Sequence, residues 1–402
     1  MYRVRPSRQR PNGGETNPQP TQFGIIVTIY TLGGLVGSLG SDAVTQRYGR
    51  VGTFRIAETL FVLGTAAVGL SNVMWLMALG RVAVGIGAGL SLVSVPLFLA
   101  EVFTSKSAKT YFGTMHQMSI GTGMIVAQSL SIPFAHPWQW RWVLVIGLAI
   151  AAGLLLLSGG VSNPSLDMTP GADEETSLLR QEAEGDEGAK DEVSVRGLVH
   201  AGSLVQRGLL VVVAAQFAQQ ICGISPVMYF STQILAPVFQ GSSKLVALAV
   251  MAIGIPFNFV PGLLPQSVGS KRLLLLSATG TAVSSLTLGI GLNGHNRAVS
   301  GISVIAFVLA FSSGLAPVPW VVLAEVVPME ARTASGAVAV SINWLTNFAA
   351  GAAFLPIQQA LKRGDRGEGN VFFVFAGASA LAFALIWAAY KLYDRAARST
   401  AE

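Results

Sequence analysis

Amide side chains lie inside two apolar stretches of this chain. Asn343 and Asn347 are four residues apart in V-A-V-S-I-N-W-L-T-N-F, and Gln219 and Gln220 lie in Q-F-A-Q-Q-I-C-G-I-S-P. Residues four apart share one face of a helix. An unpaired amide in hydrocarbon is costly, so such a face must point into protein or a water-filled cavity. The pattern predicts a membrane protein with a polar lining.

Three further side chains could contact a polar ligand. Gln117 and Tyr229 lie in apolar stretches of the same kind, and Trp320 follows the two prolines of A-P-V-P-W. Amides and a phenol can donate to and accept from a polyhydroxylated molecule. The same groups can instead form hydrogen bonds that hold membrane helices together. Spacing alone leaves both roles open.

The composition is that of a membrane protein. Of 402 residues, 51% are hydrophobic and 11% are charged, and the mean hydropathy is +0.57. A soluble domain carries about a quarter charged residues. The 45 glycines allow membrane helices to approach closely. Cys222 is the single cysteine, and the four histidines are scattered, so we expect no disulfide, no metal and no cofactor.

The excess of basic residues has a membrane explanation. The formal net charge is +6, but the basic residues lie mostly in loops between apolar stretches, as orientation signals do. We therefore expect the lipid bilayer, and no nucleic acid, as a partner. The glycine run G-I-G-A-G lies within an apolar stretch, without the strand and turn of a dinucleotide site. With no nucleophile–base set either, the sequence does not predict an enzyme.

Eleven apolar stretches are long enough to cross a bilayer of about 30 Å. They predict an all-α membrane protein with five helices, an acidic linker and six helices. The helices are expected at residues 23–45, 53–71, 73–99, 111–133, 141–160, 208–232, 244–265, 272–292, 299–325, 333–357 and 371–391. The predicted domains are a basic tail (1–22), a five-helix bundle (23–160), a linker (161–207), a six-helix bundle (208–391) and a second tail (392–402).

The loop charges predict the orientation of these helices. The side that includes Arg50 and Lys271 holds most of the Lys and Arg residues of the short loops, so it is expected to be cytoplasmic, together with the linker and the C-terminal tail. Five helices before a cytoplasmic linker place the N-terminal tail, which carries Arg3 to Arg10, on the opposite side. An additional helix before residue 23 would remove this conflict, so we expect the first bundle to lack one helix here.

The two halves repeat one another weakly. Glu101 ends an apolar stretch and is followed by Lys109, and Glu325 ends another and is followed by Arg332. The two pairs are about 220 residues apart, which favours an internal duplication, and repeats of this size are typical of transporters.

Four segments in this order resemble the sugar porter family of the major facilitator superfamily, which includes the facilitative glucose transporters. They are G-R-V-A-V-G-I-G-A-G (80–89), T-M-H-Q (114–117), Q-Q-I-C-G-I-S-P-V-M-Y-F-S (219–231), and P-V-P-W with the E, R and N-W-L-T-N-F that follow it. The likeness runs from about residue 23 to residue 391. It implies the two-bundle major facilitator fold.

The resemblance also implies roles for individual side chains. The matched sugar contacts are Gln117, Gln219, Gln220, Tyr229, Trp320, Asn343 and Asn347. The amides would bind hydroxyl groups, and Trp320 would stack on the apolar face of a sugar ring. The ion-pair gate at the cytoplasmic end would consist of Arg50, Glu101, Lys109, Lys271, Glu325 and Arg332.

The chain departs from the family pattern at several positions. Ser225 and Gly254 stand where asparagines are usual, and Ser312 stands where the family has a glutamate. The expected function is transport of a hexose or related polyol across the plasma membrane or a vacuolar or lysosomal membrane. The alternatives are a sugar sensor that does not transport, a truncated inactive paralogue, and a carrier of another polar solute.

Overall fold

The computed structural model describes residues 20–102, 106–134, 139–160, 195–258, 268–362 and 367–401. The described helices form two sets, one before the linker and one after it. The first set consists of α1 (Pro20–Thr28), α2 (Tyr30–Leu70), α3 (Met74–Val102), α4 (Lys106–Ser131) and α5 (Trp140–Ser158). After a short 3₁₀ turn (Gly197–Val199) come α6 (Ser203–Ile221), α7 (Ile224–Phe239), α8 (Ser243–Phe257), α9 (Gly269–Asn293), α10 (Arg297–Ser312), α11 (Val318–Val326), α12 (Met329–Leu361) and α13 (Asn370–Ala401). The tail before residue 20 and most of the acidic linker (161–194) lie outside the described residues.

Several of these helices can cross a membrane. By length and composition, seven described stretches qualify: Gln22–Leu70, Met74–Val95, Trp140–Ser158, Ser203–Phe239, Gly269–Asn293, Glu330–Leu361 and Asn370–Ser399. The first of them contains two predicted spans, because Gly49 interrupts α2 with φ 72° and ψ 174°. Glycine adopts a positive φ without steric cost. The described helices are consistent with the eleven predicted spans.

Glycines bring α2 and α3 into backbone contact. A Cβ atom on Gly85 would overlap the carbonyl oxygen of Tyr30, and one on Gly37 would overlap that of Ile86. Gly33 and Gly89 meet the opposite helix in the same way. Small residues four apart let membrane helices pack at short range. The G-I-G-A-G run is therefore a helix-packing surface.

Stacked aromatic rings hold α7, α12 and α13 together. The rings of Phe230 and Phe354 have centroids 5.3 Å apart at 16°, and those of Phe354 and Phe375 are 6.2 Å apart at 14°. All three side chains are buried in the core that α6 to α13 share. This column stabilises the six-helix set next to the polar residues of α6 and α7.

The two sets meet along two seams. In the first, α1 and α2 pack on α12: the Trp344 indole lies against Gly34, and its Nε1 donates to the Ser38 hydroxyl at 3.0 Å. In the second, α4 approaches α8 where Gly121 faces Ile255. The polar side chains of α6 and α12 lie near the first seam.

Candidate functional site

Asn343 is the centre of a buried cluster of amides between α6 and α12. Its Nδ2 donates to Oε1 of Gln216 at 2.8 Å and also to Oε1 of Gln219. Its Oδ1 accepts from Nε2 of Gln220 at 3.2 Å. Ser225, on α7, donates its hydroxyl to Oε1 of Gln220 at 2.7 Å. All five side chains are buried, so each amide exchanges hydrogen bonds with the protein instead of water.

One member of this cluster was not singled out from the sequence. Gln216 is fully enclosed, with 1% of its surface exposed, and it precedes Gln219 by three residues in Q-F-A-Q-Q. Residues three or four apart share one face of a helix. This spacing, which also links Asn343 to Asn347, could have identified Gln216 from the sequence.

Gln219 also stabilises the break between α10 and α11. Its Nε2 donates to the carbonyls of Leu315 at 2.9 Å and Ala316 at 2.7 Å. In an unbroken helix the Leu315 carbonyl would accept from residue 319, but Pro319 has no N–H. The N–H of Trp320, the helical partner of Ala316, donates to Pro317 instead. A side-chain amide therefore replaces two backbone donors, the N–H that Pro319 lacks and the N–H of Trp320 that is directed to Pro317.

A second polar chain crosses between the two sets of helices. The Tyr229 hydroxyl donates to Oδ1 of Asn347 at 3.0 Å and lies 2.8 Å from the Tyr30 hydroxyl. The Arg81 guanidinium lies 5.2 Å from the centre of the Tyr30 ring and donates to the carbonyls of Ile26 and Val27, where α1 ends. Tyr30 and Arg81 were not among the sequence candidates.

The structure does not bring every predicted sugar contact into these clusters. Trp320 lies on α11, just past the proline break, with 45% of its surface exposed. Gln117 belongs to α4, one turn before Gly121, but its side chain is outside the described part of the chain. The hydrogen bonds thus connect Gln219, Gln220 and Asn343 in one group and Tyr229 with Asn347 in another.

A cavity of about 130 Å³ lies at the junction of α4, α8 and α10. It is next to the amide cluster, because Ala316 contributes to its wall and also accepts the hydrogen bond of Gln219. Gly254 and Ser312, two positions at which the sequence departs from the family pattern, are part of its lining.

The predicted gate residues of the second set make several polar contacts. Nζ of Lys271 lies 2.8 Å from Oδ2 of Asp394, a carboxylate outside the predicted gate. Glu325 accepts a hydrogen bond from Ser270 at 2.7 Å, and Nε of Arg332 donates to the Val327 carbonyl at 3.0 Å. Arg50 lies next to Gly49 where α2 is interrupted. The side chains of the two other gate residues, Glu101 and Lys109, lie outside the described residues.

For the gate that the resemblance implies, each single reversal of charge, Lys271→Asp or Asp394→Lys, is expected to slow uptake, and the double exchange is expected to restore part of the rate. Both partners are about 40% exposed (37% and 44%), so the pair contributes less than about 1 kcal/mol and is weak enough to open and close in such a gate. The initial rate of uptake into liposomes measures the effect.

The control for this prediction is the pair of Lys362 and Glu368, which has the same 2.8 Å distance at the opposite end of α13. The same exchange there should leave the rate unchanged. A double variant at 271 and 394 that is no faster than the slower single variant would contradict the gating role.

The chain is similar to known proteins over most of its length. A family model described as sugar (and other) transporter matches residues 4–392. A probable metabolite transport protein of Saccharomyces cerevisiae is 26% identical over 387 residues, which cover 90% of this chain and 78% of that protein. The human facilitated glucose transporter member 4 of solute carrier family 2 is 27% identical over 384 residues, with coverages of 88% and 75%.

Solved structures show the same fold. The inward-open xylose transporter XylE from E. coli superposes with a TM-score of 0.76 at 19% identity, covering 92% of this chain and 87% of that one. At this identity the likeness bears on the fold alone. It confirms the predicted fold class, an all-α membrane protein with two bundles of helices.

Proposed function

Since the chain belongs to the family of sugar and other transporters, we propose that it carries a hexose or a related polyol across a membrane by alternating access. It is an integral membrane protein, and its relatives are transporters and not enzymes, as the sequence predicted. We place it in the plasma membrane or in a vacuolar or lysosomal membrane.

The observation that carries this proposal is the buried amide cluster. Its described members are the neutral side chains of Gln216, Gln219, Gln220, Ser225 and Asn343. Neutral donors and acceptors in a fixed array match the hydroxyl groups of an uncharged polyol. A charged solute would instead require an opposite charge close by, because burying an unpaired charge costs far more than burying a paired amide.

The remaining sugar contacts belong to the same proposal. Tyr229 and Asn347 lie on the helices that hold the cluster, and Gln117 lies on α4 near the cavity. Trp320 follows directly after the break that Gln219 stabilises. In our proposal this break changes its geometry as the cavity closes, and Trp320 then covers one face of the sugar ring.

Two bundles, residues 23–160 and 208–391, provide the moving parts. The seams between α2 and α12 and between α4 and α8 are the surfaces along which they would rock. The gate of Arg50, Glu101, Lys109, Lys271, Glu325 and Arg332 would close the end predicted to be cytoplasmic. The linker of residues 161–207 and the C-terminal tail of residues 392–402 are assigned to the cytoplasmic side.

Counterflow of labelled hexose tests the proposal. The full chain is reconstituted into liposomes loaded with unlabelled glucose, and entry of external labelled glucose is followed over time. Transport predicts a transient accumulation above equilibrium, which a binding protein that does not transport cannot produce. Unlabelled competitors are then added outside the liposomes: polyols, a pentose and a neutral amino acid. The extent to which each one reduces entry of labelled glucose ranks the solutes by affinity. Binding of glucose without counterflow would support a sensor, and competition by the amino acid alone would support another polar solute.

A further inference from the structure

The cavity next to the amide cluster has a different chemistry from the cluster itself. Among the lining side chains that the structure describes, only those of Ser312 and Asn258 are polar, and Asn258 donates its amide to the carbonyl of Ile255 on its own helix at 3.3 Å. The remaining lining residues are apolar or glycine. Most of the surface that faces this space therefore cannot bind a hydroxyl group.

Three methionines from three different helices contribute to that surface. Met124 comes from α4, Met228 from α7 and Met251 from α8. Methionine is unbranched and polarisable, so it fills irregular apolar space and adapts to different shapes. Gly254 belongs to the same lining, and a Cβ atom there would be 2.6 Å from Cγ1 of Val308. The wall combines a fixed, close approach of α8 and α10 with adaptable side chains from the other helices.

The cavity and the cluster share a boundary. The carbonyl of Ala316 accepts from Gln219 while Ala316 lines the cavity, and Met228 immediately precedes Tyr229 on α7. A molecule that occupied both regions would contact the amides with one edge and the methionines with the other. The volume of about 130 Å³ is close to that of an engineered apolar cavity of about 150 Å³ that binds benzene.

We propose that this cavity is a subsite for an apolar substituent, so that the chain prefers sugars or polyols that carry an alkyl or aryl group. The inference rests on the proposed function, because the amide cluster is taken to bind the hydroxyl groups. A hydroxyl group placed against the methionines loses its hydrogen bonds to water without replacement. Each methylene group buried there gains about fourfold in affinity.

A series of β-D-glucopyranosides tests the subsite. Glucose and its methyl, n-propyl and phenyl glucosides compete with labelled glucose in counterflow by the full chain, and direct binding to the purified protein is measured by calorimetry. The expected affinities rise from glucose to the propyl and phenyl glucosides by about tenfold or more, in line with about fourfold per buried methylene.

The variant Met251→Gln keeps the length of the side chain and adds an amide to the wall. It should reduce the preference for propyl and phenyl glucosides over glucose by about tenfold, while glucose affinity changes little. Met77→Gln, on α3 outside the lining, serves as the control and should keep the preference. Elution as a single species from size exclusion shows that each variant is folded.

The outcomes separate the subsite from the transport function. Glucose counterflow with equal affinities across the series overturns the subsite and leaves the transport proposal intact. A preference for alkyl glucosides that Met251→Gln does not change also overturns it. Binding of alkyl glucosides that depends on Met251, without any counterflow, supports the subsite and refutes transport.

Discussion

Replacing Asn343 with leucine is expected to abolish measurable hexose counterflow while the protein remains in the membrane. The change keeps the approximate volume but removes one hydrogen-bond partner from each of Gln216, Gln219 and Gln220 at once. A buried amide oxygen that loses its partner, as Oε1 of Gln216 does, costs about 1–3 kcal/mol, and the remaining amides are no longer held in position to bind hydroxyl groups. Sugar affinity should therefore fall by about 100-fold or more, measured by calorimetry and by counterflow.

A graded comparison shows whether the loss is specific. Gln220→Ala removes one member of the cluster and should weaken sugar binding by about 1–3 kcal/mol. Gln206 lies on the same helix as Gln220, and its exposed amide donates to the Val199 carbonyl. The control variant Gln206→Ala should therefore leave the sugar affinity unchanged. If the folded Asn343→Leu protein bound sugar normally, the cluster would be a purely structural feature.

Gly85→Ala is expected to destabilise the protein. The loss should be larger than for a methyl group added at a position of α3 that faces solvent or lipid. The new Cβ atom overlaps the Tyr30 carbonyl oxygen on α2. The backbone of α2 cannot move aside in the way that the end of a flexible side chain can. Forced separation of packed elements costs about 1–3 kcal/mol and sometimes more. The midpoint of thermal unfolding in detergent should fall, together with the yield of monodisperse protein.

Gly40→Ala is the matched control because it has the opposite expected sign. Gly40 lies on α2, and nothing is within 4 Å of the Cβ atom that alanine would add. Alanine is favoured over glycine in a helix by about 1 kcal/mol, so the midpoint should stay the same or rise. Equal midpoints for the two variants would contradict close backbone packing at Gly85.

The helices and the polar face could be predicted from the sequence because both follow from local rules. A segment in hydrocarbon must satisfy its own backbone hydrogen bonds, so an apolar stretch of sufficient length is a helix. Residues four apart share a face, and Asn343 and Asn347 do contact neighbouring helices on one side, through Gln216 and Tyr229.

What the sequence did not predict depends on contacts between distant segments. The second role of Gln219 required the positions of two carbonyls almost a hundred residues later, at a break whose geometry the prolines allow but do not determine. The partner of Lys271 is Asp394 near the C-terminus, whereas the internal repeat directed attention to Glu325. Tyr30 meets Tyr229 of α7 only through the packing of the two sets. Arg81 reaches the end of α1 from α3, 55 residues after Ile26.

The amides of the cluster are already hydrogen-bonded to one another and to the backbone without a sugar, and in the proposed role this has a consequence for the speed of transport. In the proposed role, each hydroxyl group that binds must take the place of an existing contact, such as that of Gln219 with Ala316. Partner exchange of this kind conserves the number of hydrogen bonds, so the net gain per contact is small. The bound solute then occupies a shallow energy minimum, from which release is fast. A carrier built in this way sacrifices tight binding for rapid turnover.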